Sequence, residues 1–208
     1  MTRTILLGTT NPHKIQKLSR IVSGYFEPVR LEDTSISAEL NEEGQSFESI
    51  ATDKAVTFSK RYDGYAIATD GGIDIPALGS RWNKLFTRRF INRENATDFE
   101  RLDAILELMK DKRGDERKMI WREAAAIAHK GKRIFSLEVD GSKGIMQESY
   151  DRRKYRPGIW LCSLWYYPQF GKNFFDLSPS ELAKGEVSWD RLEKAIRTFF
   201  ETGRRSDG

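Results

Sequence analysis

The sequence predicts an α/β domain, and three observations predict it. An apolar run, TILLG (4–8), stops at Thr-Thr-Asn-Pro and passes at once into a helical stripe of Ile15, Leu18, Ile21 and Val22. A second helical stripe, Phe47, Ile50, Ala51, Ala55 and Phe58, is followed by another short apolar run, AIAT (66–69). Farther on, FSLEV (135–139) alternates at period two, as a half-buried strand does. Helices and strands that alternate along 208 residues suit a layered α/β core. The simplest organisation is one domain over residues 1–208, with two intimately joined lobes as the other arrangement.

Each element has its own signal. Asn11 suits the N-cap and Pro12 the first helical position of the helix that follows the first strand. LNEEGQS (40–46) is a polar loop ahead of a helix from about Ser46 to Tyr62. The strand AIAT runs into Asp70-Gly71-Gly72, which reads as a tight turn. Thr97 and Glu100 form a capping box, with Phe99, Leu102, Ile105, Leu106 and Met109 as the buried face of the helix behind it. Residues 118–129 and 133–140 flank His-Lys-Gly-Lys and read as a β-hairpin. Further strands are expected near Lys143–Ser149 and Ile159–Tyr167. Ser188 is placed to cap the last helix, striped by Leu192, Ala195, Ile196 and Phe199, and the tail GRRSDG is expected to fray.

Composition excludes several classes of function. Cys162 is the only cysteine, so no intrachain disulfide and no C-x-x-C metal pattern can form. His13 and His129 are too few for a histidine metal site. No apolar run reaches the ~18 residues of a membrane span, and the N-terminal residues lack a signal-peptide core, so a cytoplasmic location with no membrane partner is expected. The net charge of +4 is scattered rather than blocked, which suits a small anionic ligand. That scatter, with no RNP, KH or zinc pattern, argues against a nucleic-acid binder.

Four stretches carry candidate chemistry. Thr9-Thr10-Asn11-Pro12-His13-Lys14 lies between a strand and a helix N-terminus, where free backbone N–H groups and the helix dipole favour an anion. It lacks the G-x-x-x-x-G-K-[ST] spacing of a Walker A loop, and an ordinary capped helix with a surface lysine would look the same. Glu42-Glu43-Gly44 offers carboxylates of the kind that hold Mg²⁺, although loop acids are commonly just solvated. Lys54 interrupts an apolar helical face, so it either points into a cleft or snorkels from the edge of that face. Asp70 follows a strand, where α/β proteins place ligand-handling groups, and Arg88-Arg89 can clamp phosphate or remain an exposed pair.

The order of these stretches is the specific signal. TTNPHK (9–14), EEGQSFESIATDKA (42–55), AIATDGGIDIPALG (66–79) and LFTRRF (85–90) resemble the inosine triphosphate pyrophosphatase family. Its members carry T-x-N-x-x-K, E-x-G-x-[TS]-F with N-A-x-x-K-A, D-D-S-G-L and an aromatic-S-A-R segment in this order. The likeness is firm over residues 4–90 and looser to about residue 200. It implies an elongated mixed β-sheet with flanking helices, two lobes around a central nucleotide-binding cleft, and a homodimer. It also implies Mg²⁺-dependent hydrolysis of a nucleoside triphosphate between the α- and β-phosphates. Carried over by position, Glu42 would bind the metal and Asp70 would be the catalytic aspartate, as metal ligand or general base. Asn11, Lys14, Lys54 and Arg89 would hold phosphates, joined by the hydroxyl of Thr9 and by Arg88.

The departures are substantial. Thr69 stands where the first acid of the D-D pair is expected, Ile50 replaces an Asn and Gly71 a Ser, with Glu43 or Asp74 as conceivable substitutes for the lost carboxylate. Gly158–Trp165 corresponds to the family's G-F-G-[YW]-D-P-x-F, and Lys184–Asp190 to its K-x-x-x-S-H-R, with Trp189-Asp190 in place of His-Arg. Asp190 accepts hydrogen bonds where His and Arg donate, which points to a base bearing an amino group, read by Trp160, Lys184, Trp189 and Asp190. Core packing is the competing account of the tryptophans. The expectation is a Mg²⁺-dependent pyrophosphohydrolase of an unusual or modified purine nucleotide. A nucleotide binder of weak catalytic power, a sensor or scaffold, is the alternative that Thr69 and Ile50 raise.

Overall fold

The computed structural model describes residues 3–40, 44–87, 90–91, 93, 95–185 and 187–206. In chain order the elements are β1 (Thr4–Leu7), α1 (Pro12–Val22), β2 (Glu27–Arg30), α2 (Phe47–Tyr62), β3 (Tyr65–Asp74) and α3 (Asp98–Leu108). They continue with β4 (Lys118–His129), β5 (Lys132–Met146), β6 (Trp165–Tyr167), β7 (Lys172–Asn173), α4 (Pro179–Gly185) and α5 (Val187–Ser206). The strands form a mixed sheet in the order β2-β1-β3-β4-β5-β6-β7. β1 runs parallel to β2 and β3, whereas β6 is antiparallel to β5 and β7. This is the mixed α/β sheet with flanking helices that the sequence predicts. Among the described residues no helix is long and apolar enough to cross a membrane.

The helices begin where their caps say they should. Asn11 Oδ1 accepts from the N–H groups of His13 and Lys14 at 2.9 and 3.4 Å, with Pro12 behind it. Ser46 and Ser49 form a reciprocal box at the start of α2, and Thr97 and Glu100 do so for α3. The β4–β5 hairpin turns on Lys130 and Gly131, both at positive φ, as a two-residue turn of this hand requires.

Several strand boundaries differ from expectation. Asp70-Gly71-Gly72 is no turn: β3 continues through it to Asp74, and neither glycine adopts positive φ. Gly71 serves a close approach instead, because a Cβ there would stand 2.7 Å from the carbonyl oxygen of Arg122. The strand expected near Lys143–Ser149 is the far end of β5, which passes through Gly141 without bending back. Ile159–Tyr167 is mostly a 3₁₀ turn, Trp160–Leu164, followed by the short β6. Trp160, Leu161 and Cys162 are buried in succession, which a tight turn permits and an alternating strand does not. Ser188 lies inside the first turn of α5 rather than capping it, and that helix continues to Ser206 through most of the tail. β2 escapes sequence reading because it is a four-residue edge strand carrying Pro28, with none of its residues buried.

The chain divides into two compact units, one of residues 1–71, 122–140 and 188–208, the other of 72–121 and 141–187. In the first, Ile5, Leu7, Ile67, Ala125 and Ile127 pack against Leu18 and Ile21 of α1 and Leu192 and Ile196 of α5. On the opposite sheet face, Leu6 and Ala66 pack with Leu31 and with Phe58 of α2. The second unit has its own core, centred on Leu102, Ile105, Met109, Met146, Trp160 and Trp165.

Candidate functional site

β1 ends at Leu7, and the next residues build a pocket wall. The Gly8 N–H donates to the Ile67 carbonyl at 2.8 Å. A Cβ on Gly8 would meet Phe58 Cδ2 at 2.7 Å, so glycine lets the loop lie against α2. Thr9 Oγ1 accepts from the Asn11 N–H at 3.2 Å, which fixes the turn into α1. The pocket, about 230 Å³, is lined by Gly8 to Asn11, Lys14, Lys54, Leu31, Ala38, Leu40, Phe58 and Thr69. The structure therefore brings four of the expected phosphate-binding residues, Thr9, Asn11, Lys14 and Lys54, around one space. Glu42, Arg88 and Arg89 lie outside the described residues.

Asp70 joins this set through Lys54, whose Nζ donates to Asp70 Oδ1 at 2.9 Å. The two side chains are 14% and 17% exposed, so the contact is far better shielded than a surface ion pair. Two further features have no counterpart in the sequence reading. Lys14 Nζ sits 3.2 Å from Oε1 of Glu123, an acid only 2% exposed. Thr69 Oγ1, at the pocket wall, is buried with no hydrogen-bond partner among the described residues. Nothing in the local sequence signals Glu123, because Arg-Glu on a strand is ordinary surface chemistry and its burial is decided by the fold. Beside it, Arg122 pairs with Asp140 at 3.0 Å and lies 3.8 Å from Glu138.

The arrangement offers a polyanion two ammonium groups, a hydroxyl-rich loop and a helix N-terminus. A magnesium ion suits such a donor set. It takes hard oxygen ligands, often one or two carboxylates with water and phosphate oxygens completing the shell. Asp70 supplies a carboxylate of that kind. Among the described residues, no three His, Cys, Asp or Glu side chains gather as a self-sufficient cage, which that mode of binding does not require.

The residues expected at the base are placed differently. Trp160 is 4% exposed in the core of the second unit, stacked on Phe90 at 6.1 Å and edge-on to Trp82 at 6.4 Å. Trp189 is 5% exposed in the core of the first, with its ring edge-on to His13 at 6.3 Å. Both tryptophans are thus built into packing, whereas Lys184 on α4 and Asp190 on α5 are exposed. A larger cavity, about 510 Å³, lies in the second unit and is lined in part by Arg152, Arg153 and Lys154. There Arg153 pairs with Asp151 and Lys154 with Asp176, and Arg152 lies 4.0 Å from Asp103.

Comparison with known proteins finds relatives over most of the chain. The model of the Ham1 family matches residues 5–157. A protein of Thermoanaerobacter sp. (strain X514) named dITP/XTP pyrophosphatase is 25% identical over 192 residues, 91% of this chain and 93% of its own length. One of the same name from Thermus thermophilus is 28% identical over 199 residues, 95% of this chain and 90% of its own. The solved structure of a HAM1 protein from Coxiella burnetii superposes with a TM-score of 0.78 at 21% identity, covering 94% of this chain and 99% of that one. The Staphylococcus aureus Ham1 protein gives 0.75 at 19%, covering 97% and 100%. At such identities the superpositions speak to the fold.

Proposed function

The chain belongs to the Ham1 family, and from that premise we propose that it is a Mg²⁺-dependent hydrolase that converts a nucleoside triphosphate to its monophosphate and pyrophosphate. The observation that carries the reading is the single pocket that gathers Thr9, Asn11, Lys14 and Lys54, with Asp70 on Lys54. Lys14 and Lys54 set positive charge against the triphosphate, and the loop ahead of α1 adds N–H and O–H donors. Lys54 holds the Asp70 side chain in one orientation, so that Asp70 can orient a water and accept its proton as the phosphoanhydride is attacked. The metal, held by Asp70 and in the family pattern by Glu42, would neutralise phosphate charge that the lysines leave. Arg88 and Arg89 complete the phosphate set by position in the sequence.

Relatives named dITP/XTP pyrophosphatase put deaminated purine nucleotides first among candidate substrates. Base selection is a separate part of the proposal. Asp190, exposed on α5, offers an acceptor that would favour a modified base with an exocyclic amino group over hypoxanthine and xanthine, which lack one. The burial of Trp160 and Trp189 supports a framework role for both rather than an open stacking surface. A homodimer in the cytoplasm is part of the same reading, supported by the family likeness, and light scattering tests the dimer.

Thr69 favours the second reading, a nucleotide binder without turnover, since it removes a carboxylate from the strand that carries Asp70. One experiment separates the two. Pyrophosphate release is measured with Mg²⁺ across dITP, XTP, ITP, the common nucleotides and amino-bearing modified purines, beside Asp70→Asn. Turnover that falls at least about 100-fold in Asp70→Asn supports the hydrolase. Calorimetric binding without product in the unaltered protein overturns it in favour of the binder.

A further inference from the structure

We propose that Glu123 is a positioning residue of this site: it holds the Lys14 ammonium at the phosphate pocket from the face of β3 opposite to Asp70. The proposal rests on the pocket being a polyphosphate site.

The two faces of the sheet are distinguishable. Ile67 of β3 and Ala125 and Ile127 of β4 pack in the core made with α1 and α5. Strand alternation then assigns Thr69, Gly71 and Glu123 to that same face. Ala66 packs with Phe58 of α2 on the other face, which assigns Asp70 to the side from which Lys54 reaches it. The pocket is thus served by one lysine–carboxylate pair from each face, Lys54–Asp70 and Lys14–Glu123.

The second pair is built by its surroundings. A Cβ at Gly71 would lie 2.6 Å from Glu123 Oε2 and 2.7 Å from its Cδ, so the missing side chain is the space the carboxylate occupies. Thr69, on the same face, carries no charge for Lys14 to meet, and its own hydroxyl makes no hydrogen bond among the described residues. Glu123 supplies the charge from the neighbouring strand. A carboxylate 2% exposed is costly unless it is paired, and Lys14, 22% exposed at its side chain, is long enough to pair with it while still lining the pocket. Lys14 meets Glu123 Oε1 as an ion pair at 3.2 Å, so it can stay beside Glu123 and still give an N–H to a phosphate oxygen. Glu123 thereby fixes a flexible four-carbon chain before the ligand arrives, in the manner of a preorganised group.

The test is a double-mutant cycle of Glu123→Gln and Lys14→Gln. Glu123→Gln is expected to lower kcat by roughly 10- to 100-fold, as misplacement of a contact group does, with KM unchanged or lower because the negative charge beside Lys14 is gone. In the Lys14→Gln background the same change should cost less than about 2-fold, since its effect passes through Lys14. Glu123→Asp, which keeps the charge but withdraws it by one methylene, should recover part of the loss and serves if the Gln variant does not fold. Equal losses in both backgrounds, a rise in KM alone, or no loss would overturn the proposal. Calorimetric titration of the same four proteins with a non-hydrolysable nucleotide triphosphate and Mg²⁺ keeps the two readings apart. If the unaltered protein binds but does not turn over, the hydrolase reading fails, and Glu123 is judged by whether its effect on binding vanishes without Lys14. If binding too is absent, both fail.

Discussion

Burial pushes the Cys162 thiol from its usual 9.0 up to about 12, because a thiolate has no solvation in the core of the second unit. The folded chain therefore keeps this proton to about pH 12, whereas the unfolded chain loses it near pH 9. Between those limits the unfolded state binds fewer protons, so stability falls as pH rises, and below pH 9 this group contributes no slope. The difference caps the loss at about 4 kcal/mol, with about 2 kcal/mol of it gone by roughly pH 10.5. Urea midpoints from pH 7 to 10.5 check this, and Cys162→Ala should flatten the alkaline part of the curve. Side chains of this kind also mark the limit of sequence reading. Lys54 stood out because an ammonium interrupts an apolar helical stripe, which left a cleft and a snorkelling side chain both open, and the structure pairs it with Asp70. Glu123 was not, since its meaning depends on a glycine in another strand and a lysine more than a hundred residues away.

Elements were legible where a local signal fixes them and illegible where two segments decide together. The starts of α1, α2 and α3 follow from Asn11, Ser46 and Thr97, whose side chains satisfy N–H groups of their own helix. Asp70-Gly71-Gly72 misleads because its composition is that of a turn, while its conformation is set by β4 lying against it. Gly71 tests that account. An alanine in an open extended segment would be neutral or slightly stabilising. Here the new methyl meets the Arg122 carbonyl oxygen at 2.7 Å and the Glu123 carboxylate at 2.6 Å. Gly71→Ala is therefore expected to cost about 1–3 kcal/mol through overpacking, read as a lowered urea midpoint. It should also reduce turnover beyond any loss of folded protein, because the carboxylate that yields is the one holding Lys14. A variant of unaltered stability would show that β4 leaves room for a side chain on β3 at this point.

At the scale of the whole molecule, the two units draw on the same strands. β3, β4 and β5 each begin in one unit and end in the other, so neither unit can lose its strands while the other keeps full-length ones. Arg117, 4% exposed in the second unit, offers a way to test that coupling. Its guanidinium donates to the carbonyls of Met146 and Met109 at 2.7 Å each and of Gln147 at 2.8 Å, tying the end of β5 to the segment after α3. Arg117→Ala removes three hydrogen bonds from a mostly buried site, although the Met109 carbonyl keeps the Lys112 N–H at 3.0 Å, an expected loss of about 2–4 kcal/mol. Trp82, Trp121, Trp160 and Trp165 belong to the second unit and Trp189 to the first, so in a Trp189→Phe background indole emission reports the second unit alone. Far-UV circular dichroism is weighted instead toward the helices, of which α1, α2 and α5, apart from its first residue, belong to the first unit. If the shared strands bind the units into one cooperative structure, urea transitions followed by the two probes coincide, and Arg117→Ala moves both by the same amount. An emission transition that runs ahead of the helical signal, and further ahead in the variant, would mean that the second unit melts alone and that strand continuity does not transmit its loss.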